Sequence, residues 1–124
     1  MDGEISSGEV EQLIAGDEDV RVVDIRNEGS FAREHIPGSE NVPFERLPDW
    51  VDRLAGADRI VTVCPHGKAS VQAAKLIKSY EGTADATVES MAGGITEWEG
   101  DLSSASGPDA SGDGAADEGP DAPF

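Results

Sequence analysis

Four consecutive β-branched residues, Ile60-Val61-Thr62-Val63, run into Cys64-Pro65-His66-Gly67 and then into a segment with helical spacing. A run of this kind favours a buried strand. The residues after the turn predict a helix over 69–80, with Val71, Ala74, Ile77 and Tyr80 on one face and the small Ala73 and Ala74 allowing close approach to a sheet. Strand, tight turn and helix in this order aim backbone N–H groups and a helix start at the turn, whose first residue here is a thiol. The partial positive charge of the helix start favours the thiolate, the nucleophilic form. Cys64 is the only cysteine in the chain. Free cysteines are also among the most buried residue types and often do no chemistry, so the stretch alone leaves a reactive and an inert thiol both open.

The flanking sequence repeats the strand–helix alternation. Ser6-Ser7-Gly8-Glu9 contains a capping box, after which Val10, Leu13 and Ile14 line a helical face that ends at Gly16. Residues 20–25 form a second apolar strand, and 27–35 hold a short helix with Phe31 facing inward. Ile36-Pro37-Gly38 is a turn and Asn41-Val42-Pro43 a brief strand. Leu47, Trp50, Val51 and Leu54 share a helical face, with Pro48 in its first turn. Residues 86–91 read as the last strand, and Gly93-Gly94 leads into a short helix over 95–98, with Trp50 and Trp98 expected in the core. Strands alternating with helices indicate an α/β fold, a parallel sheet covered on both faces.

A chain of 124 residues forms one domain, placed at 1–102. From 103 to 124 the composition changes to Ser, Gly, Ala, Asp and Pro, and this acidic tail is expected to be disordered. The single cysteine excludes an internal disulfide, and no Cys/His spacing fits zinc, so neither a metal nor a cofactor is expected. No 18-residue apolar run and no charged-then-apolar leader occur, so the expectation is a cytoplasmic protein without a membrane span. The net charge is −17, and residues 1–100 alone carry 20 acids against 9 bases, or −11. Such a charge excludes nucleic acid as a direct partner and suits a host in which salt screens self-repulsion, a halophilic setting.

Three spaced pieces of the chain resemble one family. Val23-Asp24-Ile25-Arg26 with Phe31, Glu34-His35-Ile36-Pro37-Gly38-Ser39 and Asn41-Val42-Pro43 resembles the N-terminal signature of rhodanese-like domains. Cys64-Pro65-His66-Gly67-Lys68-Ala69-Ser70 is similar to their active-site loop, and Met91-Ala92-Gly93-Gly94-Ile95 with Trp98 to their C-terminal signature. The resemblance implies a parallel sheet of about five strands between helices. It also implies sulfur transfer, with Cys64 taking sulfur from a small anionic donor such as thiosulfate and passing it, as a persulfide, to a thiol or protein acceptor. A protein-to-protein persulfide carrier and a silent rhodanese-like binding module are the alternatives. Phosphatases of related fold need an Arg where this chain has Ser70, which removes their main phosphate ligand.

Within the loop, the resemblance makes Pro65, His66, Gly67, Lys68, Ala69 and Ser70 the substrate-binding residues. Ala69 offers only a backbone N–H where many members carry Arg, Ser or Thr, and Pro65 offers none. Lys68 is either a positive contact for the donor or a solvent-facing side chain. Asp24, Arg26 and Glu34 are expected to form a supporting ionic network beneath the loop. No acid occurs between Asp58 and Glu81, although acids make up a fifth of residues 1–100, and all three lysines, Lys68, Lys75 and Lys78, lie in that gap. The helix after Cys64 is therefore expected to be the least negative surface of the molecule.

Overall fold

The computed structural model describes residues 1–16 and 19–104. Five strands, β1 (Glu4–Ile5), β2 (Val20–Asp24), β3 (Glu40–Asn41), β4 (Arg59–Val63) and β5 (Thr87–Met91), form one sheet in the order β1-β5-β4-β2-β3. Every pairing is parallel, with Val61 opposite Val22 on one side and Glu89 on the other. The central strands need no side-chain alternation of polarity, because both faces are covered. Residues of β4 and Cys64 just after it divide between two apolar clusters on opposite faces. Ile60 and Cys64 join Val23, Leu54, Ala73, Ala74 and Ile77, whereas Val61 and Val63 join Ile5, Val10, Val22, Ile36 and Met91.

The helices are α1 (Ser7–Ala15), α2 (Glu28–Arg33), α3 (Leu47–Trp50) and α4 (Ala69–Ser79). The expected capping box opens α1: the Ser6 hydroxyl accepts from Glu9 N, and the Glu9 carboxylate accepts from Ser6 N. The segment around Pro48 is less regular than its spacing predicts. It breaks into a 3₁₀ turn at Phe44–Arg46, the single turn of α3, and a second 3₁₀ turn at Val51–Leu54, which still buries Leu47, Val51 and Leu54. Neither Trp is fully buried. The Arg46 and Arg53 guanidinium carbons stand 5.5 and 4.4 Å from the Trp50 ring, and Trp98 Nε1 donates to Asp101 O at the surface. Phe31 is half-buried and stacks on the His35 ring, with centroids 3.9 Å apart.

The strand β1 was not legible in the sequence. Two residues long, it exists because Glu4 and Ile5 pair with Ser90 and Met91 at the open edge of β5. At the other end, structure continues past the expected boundary at 102. Ser103 pairs with His35 through two backbone hydrogen bonds of 2.9 and 2.7 Å, and Ser104 Oγ donates to Ala32 O. The rest of the expected tail, 105–124, lies outside the described residues. Among the described residues no helix is long and apolar enough to cross a membrane, and no group of three or more His, Cys, Asp and Glu side chains is placed to hold a metal ion.

Candidate active site

Strand β4 ends where the C-terminal edge of a parallel sheet meets the start of α4, the usual ligand position in open α/β folds. Cys64 is the first residue past the strand and is 2% exposed. Its Sγ accepts from Gly67 N at 3.1 Å and Ser70 N at 3.3 Å, and the Ser70 hydroxyl lies 3.4 Å away. Lys68, at the N-cap of α4, makes no side-chain capping bond. An N-cap side chain normally accepts from the second or third helical N–H. Here the Cys64 sulfur, four residues before the N-cap, takes that acceptor role from Ser70 N. Burial pushes the Cys64 thiol up, but the Ser70 hydroxyl and the N–H groups of Ser70, His66 and Gly67 outweigh it and hold the thiol below its ordinary value.

The loop is clamped from β5. Gly67 and Gly94 both adopt left-handed backbone angles, φ +83° and +67°. A Cβ on Gly67 would fall 2.7 Å from Gly93 N, and one on Gly94 would fall 2.3 Å from Cys64 O, so only glycine permits the two turns to touch. Ile95 N then donates to Cys64 O at 2.9 Å and Thr96 N to Pro65 O at 3.2 Å. The close approach anticipated at Gly93-Gly94 is therefore a backbone clamp on the first two residues of the loop.

The expected loop residues divide by position. Gly67 and Ser70 are buried and touch the sulfur, His66 turns only its N–H toward it, and Pro65, Lys68, Ala69 and the His66 side chain are exposed on the rim. Among the described residues, no acceptor meets the N–H of Lys68 or Ala69. Ser70 is fully buried and is held from two sides: Thr62 Oγ1 donates to its carbonyl at 2.7 Å, and its hydroxyl lies 2.6 Å from Ser90 Oγ. Ser90 and Thr62, on β5 and β4, escaped the sequence reading because nothing local marks a strand residue whose partner lies on another element.

The supporting network differs from expectation at one residue. Arg26 makes a near-bidentate pair with the buried Asp24 carboxylate, at 2.8 to 3.1 Å. Its Nη2 also reaches Glu34, but at the main-chain carbonyl; the Glu34 side chain is exposed and outside the network. Asn41 completes the support by donating from Nδ2 to Asp24 O and Arg26 O. No bond joins this group to the Cys64 loop among the described residues. It fixes the exit of β2 to the α2–β3 connection. Of the three lysines, Lys78 is tied to Ala86 O and the Asp2 carboxylate at the far end of α4. Lys75 and Lys68 are exposed, and Lys68 alone adjoins the thiol.

Comparison with known proteins agrees with this geometry. The pattern of the Rhodanese-like domain matches residues 6–101. The thiosulfate sulfurtransferase GlpE of Pseudoalteromonas translucida is 38% identical over 82 residues, covering 66% of this chain and 75% of its own length. A sulfurtransferase of Allochromatium vinosum is 32% identical over 99 residues, covering 79% and 89%. Among solved structures, the rhodanese-like domain protein of Staphylococcus aureus superposes with a TM-score of 0.69 over 84% of this chain and 98% of its own, at 20% identity, a likeness of fold alone. With a match spanning most of its length, and with the sheet and the cysteine loop in place, this chain belongs to the rhodanese-like domain family.

Proposed function

We propose that the protein is a sulfurtransferase that moves sulfane sulfur from a donor such as thiosulfate to a thiophilic acceptor through a persulfide on Cys64. The observation that carries the reading is the sulfur's position: it accepts two backbone N–H groups while the neighbouring Lys68 and Ala69 N–H groups remain without an acceptor among the described residues. In the first step the thiolate attacks the outer sulfur of thiosulfate. The donor's S–S bond breaks, and its electron pair leaves with sulfite. In the second step an acceptor attacks the outer sulfur of the persulfide, and the Cys64 thiolate leaves. The open N–H groups suit the negative outer sulfur, as an oxyanion hole suits an oxyanion. The exposed Lys68 adds positive charge at the rim. Covalent chemistry on a thiol needs no cofactor or metal, and a reducing cytoplasm keeps Cys64 competent for it.

A carrier that takes sulfur only from a partner protein is the second reading, and the loop composition favours it. Ala69 and Pro65 put no polar side chain on the rim, so the sulfite half of thiosulfate meets few ligands there. Phosphoryl transfer is disfavoured, because Ser70 is buried and bonded at the position where a phosphate clamp would stand.

Intact-mass analysis after incubation with thiosulfate tests these readings. One added sulfur, removed by cyanide and absent in Cys64→Ser, is the expected result. Addition from a cysteine desulfurase but not from thiosulfate selects the carrier. No adduct from either donor refutes both and leaves a binding module.

A further inference from the structure

We propose that Ser90 is a positioning residue for Cys64, acting through the Ser70 hydroxyl to favour negative charge on the sulfur. The inference rests on the reading of Cys64 as the sulfur-bearing nucleophile. Cys64 Sγ, Ser70 Oγ and Ser90 Oγ form a chain of three polar atoms with links of 3.4 and 2.6 Å. Ser70 and Ser90 are 0% exposed and Cys64 is 2%. Neither hydroxyl has another partner among the described residues, since Thr62 Oγ1 is turned to the Ser70 and Glu89 carbonyls.

Counting hydrogens gives the chain a direction. The neutral form has three, one on sulfur and one on each hydroxyl, but the chain has only two links, so one hydrogen always lacks an acceptor. The ionised form has two. Ser90 then donates to Ser70, and Ser70 donates to the sulfur, so both hydrogens are paired. Leaving a buried donor unpaired is unfavourable, and the chain therefore favours the thiolate. Hydroxyls joined in series also polarise one another, which strengthens the terminal bond to sulfur.

The same arrangement acts when sulfur leaves. As the acceptor's lone pair forms the new bond to the outer sulfur, the persulfide S–S bond breaks and its electron pair stays on Cys64 Sγ. The Ser70 O–H then donates to that charge and the Ser90 O–H supports Ser70, with no proton transferred. No charged side chain bonds any member of the chain among the described residues. His66 and Lys68 of the loop are exposed, as is Glu4, opposite Ser90 on β1, and Glu89 on β5 is paired with Arg59 at 2.9 Å.

The test is the pH profile of iodoacetamide alkylation of the full chain, which reads the thiolate without requiring sulfur transfer. Ser90→Ala is expected to move the midpoint upward and to slow alkylation about three- to tenfold at a pH below the wild-type midpoint. Ser70→Ala should do at least as much, and the double variant no more than Ser70→Ala, because Ser90 acts only through Ser70. An unchanged profile in Ser90→Ala, or effects that add in the double variant, overturns the proposal. A structural role alone would lower the melting temperature and leave the profile in place. Should Ser90→Ala not fold, the wild type decides: the two sheltered hydroxyl proton resonances should shift together as Cys64 titrates, and a Ser90 resonance that stays fixed refutes the coupling. Failure to form a persulfide from any donor would appear in the mass assay, separately from these profiles.

Discussion

Replacing Gly94 by alanine isolates the contact that holds the cysteine loop in place. Gly94 sits at φ +67°, and an added Cβ would lie 2.3 Å from Cys64 O and 2.5 Å from the Pro65 carbonyl carbon and oxygen. With ψ at −165° this is a backbone conformation essentially reserved to glycine, and a residue with a side chain pays about 1–3 kcal/mol there. The clashing atoms are main chain and cannot swing aside, so the loop must retreat by about 1 Å to reach ordinary contact. That retreat breaks or stretches Ile95 N–Cys64 O and Thr96 N–Pro65 O, at about 1 kcal/mol each. The expected destabilisation is about 3–5 kcal/mol. Gly56→Ala is the internal control, because Gly56 has φ +86° with nothing within 4 Å of the added Cβ and so carries the torsional cost alone. Urea denaturation of both variants should separate them by about 2 kcal/mol. The displaced loop should also lower the rate of persulfide formation about 100-fold, the usual consequence of a 1 Å misplacement. Equal stability of Gly94→Ala and Gly56→Ala, with wild-type sulfur loading in both, would refute the clamp.

Four further outcomes follow from the same geometry. The hydrogen bonds that outweigh burial at Cys64 place its titration below the ordinary thiol value of 9.0, so alkylation of the folded protein should reach its plateau at lower pH than in denaturant. The linked stability is fully present above the unfolded thiol's pKa and is lost as pH falls through the folded one; a folded midpoint at or above the unfolded midpoint contradicts this. Arg26→Ala strands the Asp24 carboxylate, which is 1% exposed, and should cost about 3 kcal/mol by chemical denaturation. Glu34→Gln should stay within about 0.5 kcal/mol of wild type, because only the Glu34 carbonyl is used. The charge of −11 on residues 1–100 predicts a higher melting temperature in molar potassium chloride than in dilute buffer, and a flat or falling response in a thermal scan contradicts it.

What the sequence disclosed and what it hid differ in physical kind. The β-branched run 60–63, the Ser6–Glu9 capping box and the glycines of the two touching turns act through local backbone preference, so they were legible. The strand β1 is two residues that gain structure only by pairing with β5, and Ser103 only by pairing with His35; neither carries a local signal. The buried face of α4 was displaced by one residue for an instructive reason. Apolar spacing picks out Val71, Ala74, Ile77 and Tyr80, but the buried set is Ser70, Ala73, Ala74 and Ile77, with Val71 and Tyr80 only half-buried. The true stripe begins with a polar residue, which a search for apolar periodicity discards. Ser70 is buried because its hydroxyl and N–H face the sulfur and Ser90, so the position that breaks the pattern is one that touches the candidate nucleophile. Glu34 shows the complementary failure: its charge suggested a role that its main chain fills.

The distribution of charge and the loop's backbone donors together determine how salt should act on the proposed reaction. An anionic donor approaching a chain of net charge −17 is repelled at long range. Of the three lysines in the acid-free stretch, Lys78 is bound to Asp2 and Lys75 is exposed on α4, and Lys68 is the one that belongs to the loop itself. An exposed lysine weakens as an anion ligand when salt rises, since the screening length falls from about 10 Å at 0.1 M to about 3 Å at 1 M. The N–H groups of Gly67 and Ser70 hold the Cys64 sulfur at 3.1 and 3.3 Å, and the open N–H groups of Lys68 and Ala69 would meet a donor at hydrogen-bond distance, inside even the shorter length. Salt also screens the long-range repulsion. Raising salt therefore removes the unfavourable term and spares the favourable one, so sulfur loading from thiosulfate should hold or improve in molar potassium chloride. Loading rates that fall steeply with salt would instead assign the donor's binding to Lys68 and not to the loop amides.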